Sequence, residues 1–300
     1  MGIRFGRGHP DIRQTLIGLM QLPTINDRIR SNDWSHQRVW IIGASTGIGA
    51  ALAVELAKVG ARLILSARKP ETLDEIATQC QQWVNQSKIL TLPFDVCDES
   101  ATQVAIDSIK NKWGGVDLVI FNAGTYQATR ITDLSRERIE RSLNVNLIAP
   151  MNATRLILPL ILNEPNTQPG RGFAYVASVA GYRGLPQALT YGPGKAGMIS
   201  FAESLWVDLH GLGLNTWVIN PGFVRTRLTA QNEFKMPALI EPEVAAQAIM
   251  RGFAQGNFEI HFPKRFTYWM KLLRILPSSW YLRLVKGLVP PIPRDHKEIK

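Results

Sequence analysis

Seven short apolar runs, each parted from the next by a stretch of helical character, organise most of this 300-residue chain. The runs are Val39 to Ile42, Arg62 to Leu65, Ile89 to Phe94, Asp117 to Phe121, Phe173 to Val176, Thr216 to Ile219 and Phe258 to Phe262. Short, nearly continuous apolar runs bounded by breakers are the signature of strands buried on both faces. Between them the pattern predicts helices over Gly47 to Val59, Pro70 to about Gln86, a stretch ending near Trp113, a long one from about Ser135 to Leu162, Thr190 to Leu209, and Pro242 to Gln255. Gly60 is a natural residue to end the first helix and Pro70 to open the second. Pro150 and Pro159 predict irregularities in the long one. Strict alternation of strand and helix implies parallel strands, right-handed crossovers and helices on both faces of one sheet. The expected architecture is a single α/β domain with a doubly wound, parallel, seven-stranded sheet.

That domain is read over residues 38–263. Residues 1–37 form an N-terminal extension of weak periodicity, with helical character around Ile12 to Leu22, and residues 264–300 form a basic amphipathic C-terminal tail. Hydrophobic residues make up 45% of the chain and charged ones 19%, which excludes a disordered protein. The formal charge of +10 suits an anionic partner: nucleic acid, anionic lipid or a phosphate-bearing cofactor. The basic residues follow no nucleic-acid recognition motif, so nucleic acid is not expected. Cys80 and Cys97 stand apart from any ligand-spaced cluster, so no metal site is expected. No apolar run reads as long enough to cross a bilayer, and the N-terminus lacks a signal-peptide pattern. These features place the protein in the cytoplasm, with the tail leaving room for peripheral contact with a membrane.

Gly43-Ala44-Ser45-Thr46-Gly47-Ile48-Gly49 joins the first strand to the first helix. Side chains at such a turn would collide with a pyrophosphate lying on the backbone. Exposed N–H groups and the positive helix end then hold the phosphates. The segment therefore reads as a dinucleotide cradle of a Rossmann-type fold.

Further along, Ser178 ends the fifth strand, and Tyr191 and Lys195 lie four residues apart on one face of the next helix. A phenol with an ordinary pKa of about 10 is a poor acid–base catalyst at neutral pH, and a nearby ammonium favours its phenolate. With the glycine spacing of the cradle, this set resembles the short-chain dehydrogenases/reductases, whose cradle reads TGxxxGxG and whose triad is Ser-Tyr-Lys. Ile42 stands where the family has Thr. The resemblance covers about residues 38–262. It implies an oxidoreductase that moves a hydride between a nicotinamide cofactor and a small carbonyl or alcohol substrate, in a family that leaves room for a homo-oligomer. It also implies that Ser178 holds the substrate oxygen, Tyr191 moves the proton, Lys195 tunes Tyr191, and Asn146 supports the proton relay. Asn144 stands close by as a decoy for the last role.

The remaining motifs extend the same resemblance to the cofactor. Asp95-Val96 matches the adenine-contacting Asp element. Asn122-Ala123-Gly124 matches the NNAG element, with Phe121 in place of its first Asn. Pro221-Gly222 and Thr226 match the segment near the nicotinamide. Tyr191 and Lys195 are expected to touch the cofactor as well. At the end of the second strand the chain reads Ser66-Ala67-Arg68-Lys69, with no carboxylate for the ribose hydroxyls. Arg68 can meet a 2′-phosphate with a planar fork of donors, and Ser45 and Thr46 can add hydroxyls, so NADP is favoured over NAD.

One departure stands out. Where the family reads Tyr-x-Ala-Ser-Lys, this chain has Tyr191-Gly192-Pro193-Gly194-Lys195. Two glycines weaken a helix start. They open a second reading, a nucleotide-binding sensor or membrane-associated interaction protein with little turnover. Leu228, Phe234, Met236, Leu239 and Ile240, with Tyr182 and Leu185, suit an apolar substrate or simple packing equally well. The tail sets Tyr268, Trp269, Trp280 and several leucines among Lys264, Arg265, Lys271, Arg274, Arg283 and Lys286, and Pro277 divides it into two segments. Such a composition fits an anionic lipid surface, or packing on the body or on a second subunit.

Overall fold

The computed structural model describes residues 33–163, 170–231 and 236–288. The helix expected around Ile12 to Leu22, Phe234 and the chain after Leu288 lie outside the described residues.

Seven parallel strands form one sheet: β1 Arg38–Ile42, β2 Arg62–Ser66, β3 Ile89–Thr91, β4 Leu118–Phe121, β5 Gly172–Val176, β6 Asn215–Pro221 and β7 Glu259–Phe262. Their order across the sheet is β3-β2-β1-β4-β5-β6-β7. The chain winds outward from β1 to β3, then returns to β4 and winds the other way. That reversal opens a crevice at the carboxyl ends of β1 and β4, where such sheets bind ligands.

The helices are α1 Gly47–Lys58, α2 Pro70–Cys80, α3 Glu99–Trp113, α4 Arg136–Leu143, α5 Ala149–Leu162, α6 Tyr191–His210, α7 Pro242–Gln255, α8 Lys264–Ile275 and α9 Ser278–Val285. Successive strand residues face opposite ways. Val39 and Ile41 of β1 join Leu52 and Leu56 of α1, Leu73 of α2 and Phe253 of α7 in one core. Trp40 and Ile42 join Ile106 of α3, Ile157 of α5 and Met198 of α6 in the other. The doubly wound sheet with helices on both faces thus follows from strands that carry apolar side chains on both faces.

Three elements depart most from their expected bounds. Helix α2 stops at Cys80 rather than near Gln86. Its 11 residues rise about 16 Å, the length of a five-residue strand, so a longer helix would overrun the sheet. Strand β3 ends at Thr91, although the Leu92 and Phe94 N–H groups still donate to Leu65 and Ala67 carbonyls. Pro93 between them has no N–H and suits this edge position. The long helix is interrupted by a π-turn over Asn144–Ile148. Pro150 offers no N–H to the Asn146 carbonyl four residues earlier, which accounts for the irregularity there.

The α4–α5 run from Arg136 to Leu162 has 27 residues and, contrary to expectation, is long and apolar enough to cross a membrane. Its inner face is core, however: Ala153, Ile157, Leu160 and Ile161 are buried against the sheet. At the amino edge, Trp34 is buried on Phe253, with ring centroids 5.8 Å apart. The body therefore begins a few residues before Arg38.

Candidate active site

The cradle is shaped by contacts that exclude side chains. Gly43 has φ +100°, and a Cβ there would meet the Ala123 nitrogen at 2.4 Å. A Cβ on Gly49 would lie 2.1 Å from the Gly43 carbonyl oxygen and 2.5 Å from Asn122 Nδ2. Asn122 Nδ2 donates to that same carbonyl at 2.7 Å, tying the end of β4 to the turn after β1. Gly47 has φ +57° and sits against Thr226, whose Cγ2 would be 2.8 Å from an added Cβ. Thr46 precedes α1 without a side-chain cap on the first turn. The positive end of α1 thus faces an open cleft, as an anion site requires.

That cleft has a volume of about 520 Å³ and runs from Ser45, Thr46, Arg68 and Lys69 past Asp95, Val96, Ala123 and Gly124 to Ser178, Tyr191 and Lys195. Ile48, Pro221, Gly222 and Thr226 also line it. Every catalytic or cofactor position predicted from the sequence lines this cleft except Gly49 and Asn146. Asp95 Oδ1 accepts from the Cys97 N–H at 3.0 Å, which holds the carboxylate in place. A dinucleotide fits this set: glycines at the turn, an uncapped helix start and a continuous groove onward to Tyr191.

At the far end, Ser178 leaves β5 and caps a one-turn helix over Val179–Gly181, accepting from the Ala180 N–H at 3.1 Å. Tyr191 is the first residue of α6, and its phenol lies close enough to the Ser178 hydroxyl for that group to favour the phenolate. Lys195 is one turn on and buried; its Nζ donates to the Val176 carbonyl at 2.8 Å and lies 5.6 Å from the centre of the Tyr191 ring. Burial pushes the Tyr191 phenol up to about 12, the nearby Ser178 hydroxyl lowers it in part, and the Tyr126 phenol adds to the rise. Burial lowers the Lys195 ammonium to about 8. At neutral pH the phenol therefore carries a proton to give, and the ammonium keeps its charge.

The departure at Gly192-Pro193-Gly194 has a packing reason. A Cβ on Gly194 would stand 3.2 Å from Asn146 Cβ, and one on Gly192 3.4 Å from the Ala180 carbonyl oxygen. Pro193 is exposed in the first turn, where its missing N–H costs nothing. The glycines let α6 lie close to the π-turn and to the Ser178 turn.

Asn146, not Asn144, is the buried one. Its Nδ2 donates to the carbonyls of Thr125 at 2.8 Å and Ser142 at 2.9 Å, and its Oδ1 accepts from the Thr125 N–H at 3.2 Å. It clamps the loop after β4. Gly124 lies between its Oδ1 and Lys195 Nζ, which would be 3.2 and 3.6 Å from a Cβ there.

Among further residues that line the cleft, Tyr126 and Arg227 make contacts with the predicted set. Tyr126 stands edge-on to Tyr191, with centroids 5.1 Å apart. Arg227 Nη2 donates to Thr46 Oγ1 at 3.3 Å. Both follow segments already recognised, Asn122-Ala123-Gly124 and Thr226. Reading the residues just past each strand end would have found them.

Of the side chains considered for the substrate, Leu228 lines the cleft. Tyr182, Leu185 and Ile240 instead pack into the two cores. Gln231 Nε2 reaches the Tyr126 carbonyl at 3.3 Å, closing the segment after β6 toward Tyr191. Among the described residues no three His, Cys, Asp or Glu side chains gather as metal ligands. Burial raises the Cys80 and Cys97 thiols to about 12 and about 11.

The short chain dehydrogenase family matches residues 37–236, and the chain belongs to that family of oxidoreductases. An oxidoreductase of Myxococcus xanthus, described as uncharacterized, is 32% identical over 250 residues, 83% of this chain and 96% of its own length. The ketoacyl reductase HetN of a Nostoc species is 29% identical over 226 residues, 74% of this chain and 77% of the relative. Among solved structures, the Pseudomonas aeruginosa RhlG/NADP active-site complex matches with a TM-score of 0.70 at 22% identity, covering 79% of this chain and 98% of that one. That likeness carries the fold. The chain is thus an enzyme of the kind that acts on alcohol or carbonyl groups with a nicotinamide dinucleotide.

Proposed function

We propose that the enzyme interconverts an apolar carbonyl compound and its alcohol with NADP(H). The observation that carries this reading is the meeting of the Ser178 hydroxyl, the Tyr191 phenol and the Lys195 ammonium at the end of the cleft that starts at Gly43. The bound dinucleotide supplies or takes the hydride.

The residues of the chain do the rest. Gly43, Ser45, Thr46, Gly47 and Ile48 would receive the pyrophosphate along the backbone, with Gly49 allowing the close approach of α1. Arg68 would take a 2′-phosphate, with Ser45 and Thr46 adding hydroxyls; the end of β2 offers cations and no carboxylate. Asp95 and Val96 would hold the adenine end. Asn122, Ala123 and Gly124 would form the cleft floor, and Pro221, Gly222 and Thr226 would pass near the nicotinamide. Ser178 orients the substrate oxygen, and Tyr191 gives it a proton as the alcohol forms. Lys195 holds positive charge near the phenol, which eases loss of that proton. Asn146 positions the loop after β4 and stands beside Lys195 on the relay that returns a proton to Tyr191.

The relatives give this reading its setting: one is a ketoacyl reductase, and one solved neighbour holds NADP. The test is a panel of apolar ketones and aldehydes, with the matching alcohols, assayed with NADPH and NADH and with the oxidised forms. The expected result is turnover of at least one pair with a clear preference for the phosphorylated cofactor. Tight dinucleotide binding with no turnover across the panel would instead favour the sensor.

A further inference from the structure

The C-terminal helix pair has two faces, and the fold uses one. Thr267 and Met270 of α8, with Tyr281 and Val285 of α9, are buried on the body. Lys271 Nζ pairs with Glu259 of β7 at 2.6 Å. The Arg183 guanidinium donates to the Leu273 and Leu276 carbonyls at 2.9 and 2.6 Å, and lies 4.3 Å from the centre of the Tyr281 ring. The Tyr281 hydroxyl donates to the Gly184 carbonyl at 2.6 Å. Both helices are therefore held in place without any further partner.

The outward side of each helix is open and carries exposed apolar side chains among basic ones. On α8, Tyr268, Leu272 and Ile275 share one line at 59%, 47% and 77% exposure, with Trp269 beside them at 66%. On α9, Trp280, Leu282 and Leu284 are 64%, 59% and 56% exposed. Arg265 lies within the α8 stripe, and Arg283 and Lys286 lie among the α9 side chains. No acidic residue occurs between Glu259 and Asp295.

We propose that this face docks on the surface of a bilayer that contains anionic phospholipid. Trp, Tyr and Leu enter the boundary between headgroups and acyl chains, while Arg265, Arg283 and Lys286 meet the phosphates. The charge pattern argues against a second copy of the chain as occupant. A twofold interface sets a patch against itself, which here brings cations together with no carboxylate from either helix. The geometry argues for lying on the membrane rather than spanning it. The 12 residues of α8 rise about 18 Å, short of a hydrocarbon core of about 30 Å. Because the helices are already folded, docking carries little ordering cost, unlike a disordered tail. The proposal does not depend on the carbonyl chemistry.

Co-sedimentation of the full-length protein with vesicles tests it, comparing phosphatidylcholine alone with phosphatidylcholine plus about one-third phosphatidylserine. The protein should pellet with the anionic vesicles, stay largely in the supernatant with the neutral ones, and be released by salt. A double variant, Trp269→Ser with Trp280→Ser, and a triple variant, Arg265→Glu, Arg283→Glu and Lys286→Glu, should each lower vesicle partitioning by about tenfold or more at unchanged melting temperature. Equal recovery in the supernatant with and without vesicles would overturn the proposal. So would vesicle binding insensitive to both variants, or a concentration-dependent dimer that the Trp substitutions dissociate while vesicles bind nothing.

Discussion

At the residue scale the chemistry turns on two groups whose affinities for a proton move apart. Lys195 is lowered by burial from 10.5 to about 8, and Tyr191 is raised from 10.0 to about 12. In the reductive direction Tyr191 must hold its proton and Lys195 its charge. Below pH 8 both conditions are met. As pH rises through the Lys195 value the ammonium is lost first, while the phenol stays protonated. Reductive kcat/KM should therefore be level at neutral pH and fall from about pH 8 upward, and Lys195→Arg, if it folds, should move that fall to higher pH. A profile that stays flat to about pH 10 would detach Lys195 from the reaction. Arg68 carries a separate expectation. Arg68→Ala should raise the KM for NADPH by about tenfold or more, the worth of a charged hydrogen bond, and leave NADH nearly unchanged. Equal changes for both cofactors would show that Arg68 does not read the 2′-phosphate. Residue types and spacing were enough to nominate Ser178, Tyr191, Lys195, Asn146 and the glycines. Tyr126 and Arg227 sit just past recognised segments, Asn122-Ala123-Gly124 and Thr226, so position along the chain points to them, whereas their contacts with Tyr191 and Thr46 depend on loop paths that no local spacing encodes.

At the scale of elements, strands were legible because burial on both faces leaves few polar residues in them. Helix ends were less so. Helix α2 stops where the sheet ends, a constraint set by neighbouring strands rather than by its own residues. The π-turn illustrates a mixed case. Pro150 announced an irregularity, but its consequence, Asn146 turned inward onto the loop after β4, needed three-dimensional context. Asn146→Ala removes the donor to the Thr125 and Ser142 carbonyls and the acceptor for the Thr125 N–H. It should cost about 1–3 kcal/mol of stability, read by denaturant unfolding, and reduce turnover as well. An unchanged midpoint would mean that the loop holds its shape without the clamp. The Gly192-Pro193-Gly194 departure also resolves at this scale, since Gly194 lets α6 approach Asn146.

At the scale of the whole molecule, two cores sandwich one sheet, and segments outside the regular alternation complete them. Trp34 lies in the stretch read as an extension, yet it is 1% exposed and packs on Phe253 of α7. Its burial depends on a partner far along the chain, so weak local periodicity concealed it. Trp34→Ala should lower stability by about 3–5 kcal/mol, measured by urea unfolding, with cofactor preference retained. A loss under about 0.5 kcal/mol would return Trp34 to the extension. The tail shows the same mixture: its sequence allowed packing on the body or contact with lipid, and its inner face does pack. The cleft, however, is where sheet reversal, cradle and Tyr191 converge, and the account rests on Tyr191 as proton donor. The direct test is steady-state turnover of a ketone accepted by the wild-type enzyme, compared with Tyr191→Phe at pH 7 together with NADPH affinity. With Tyr191 as the proton donor, kcat should fall by about 10²–10⁴-fold with NADPH affinity nearly unchanged. Turnover by Tyr191→Phe equal to that of the wild type would contradict it.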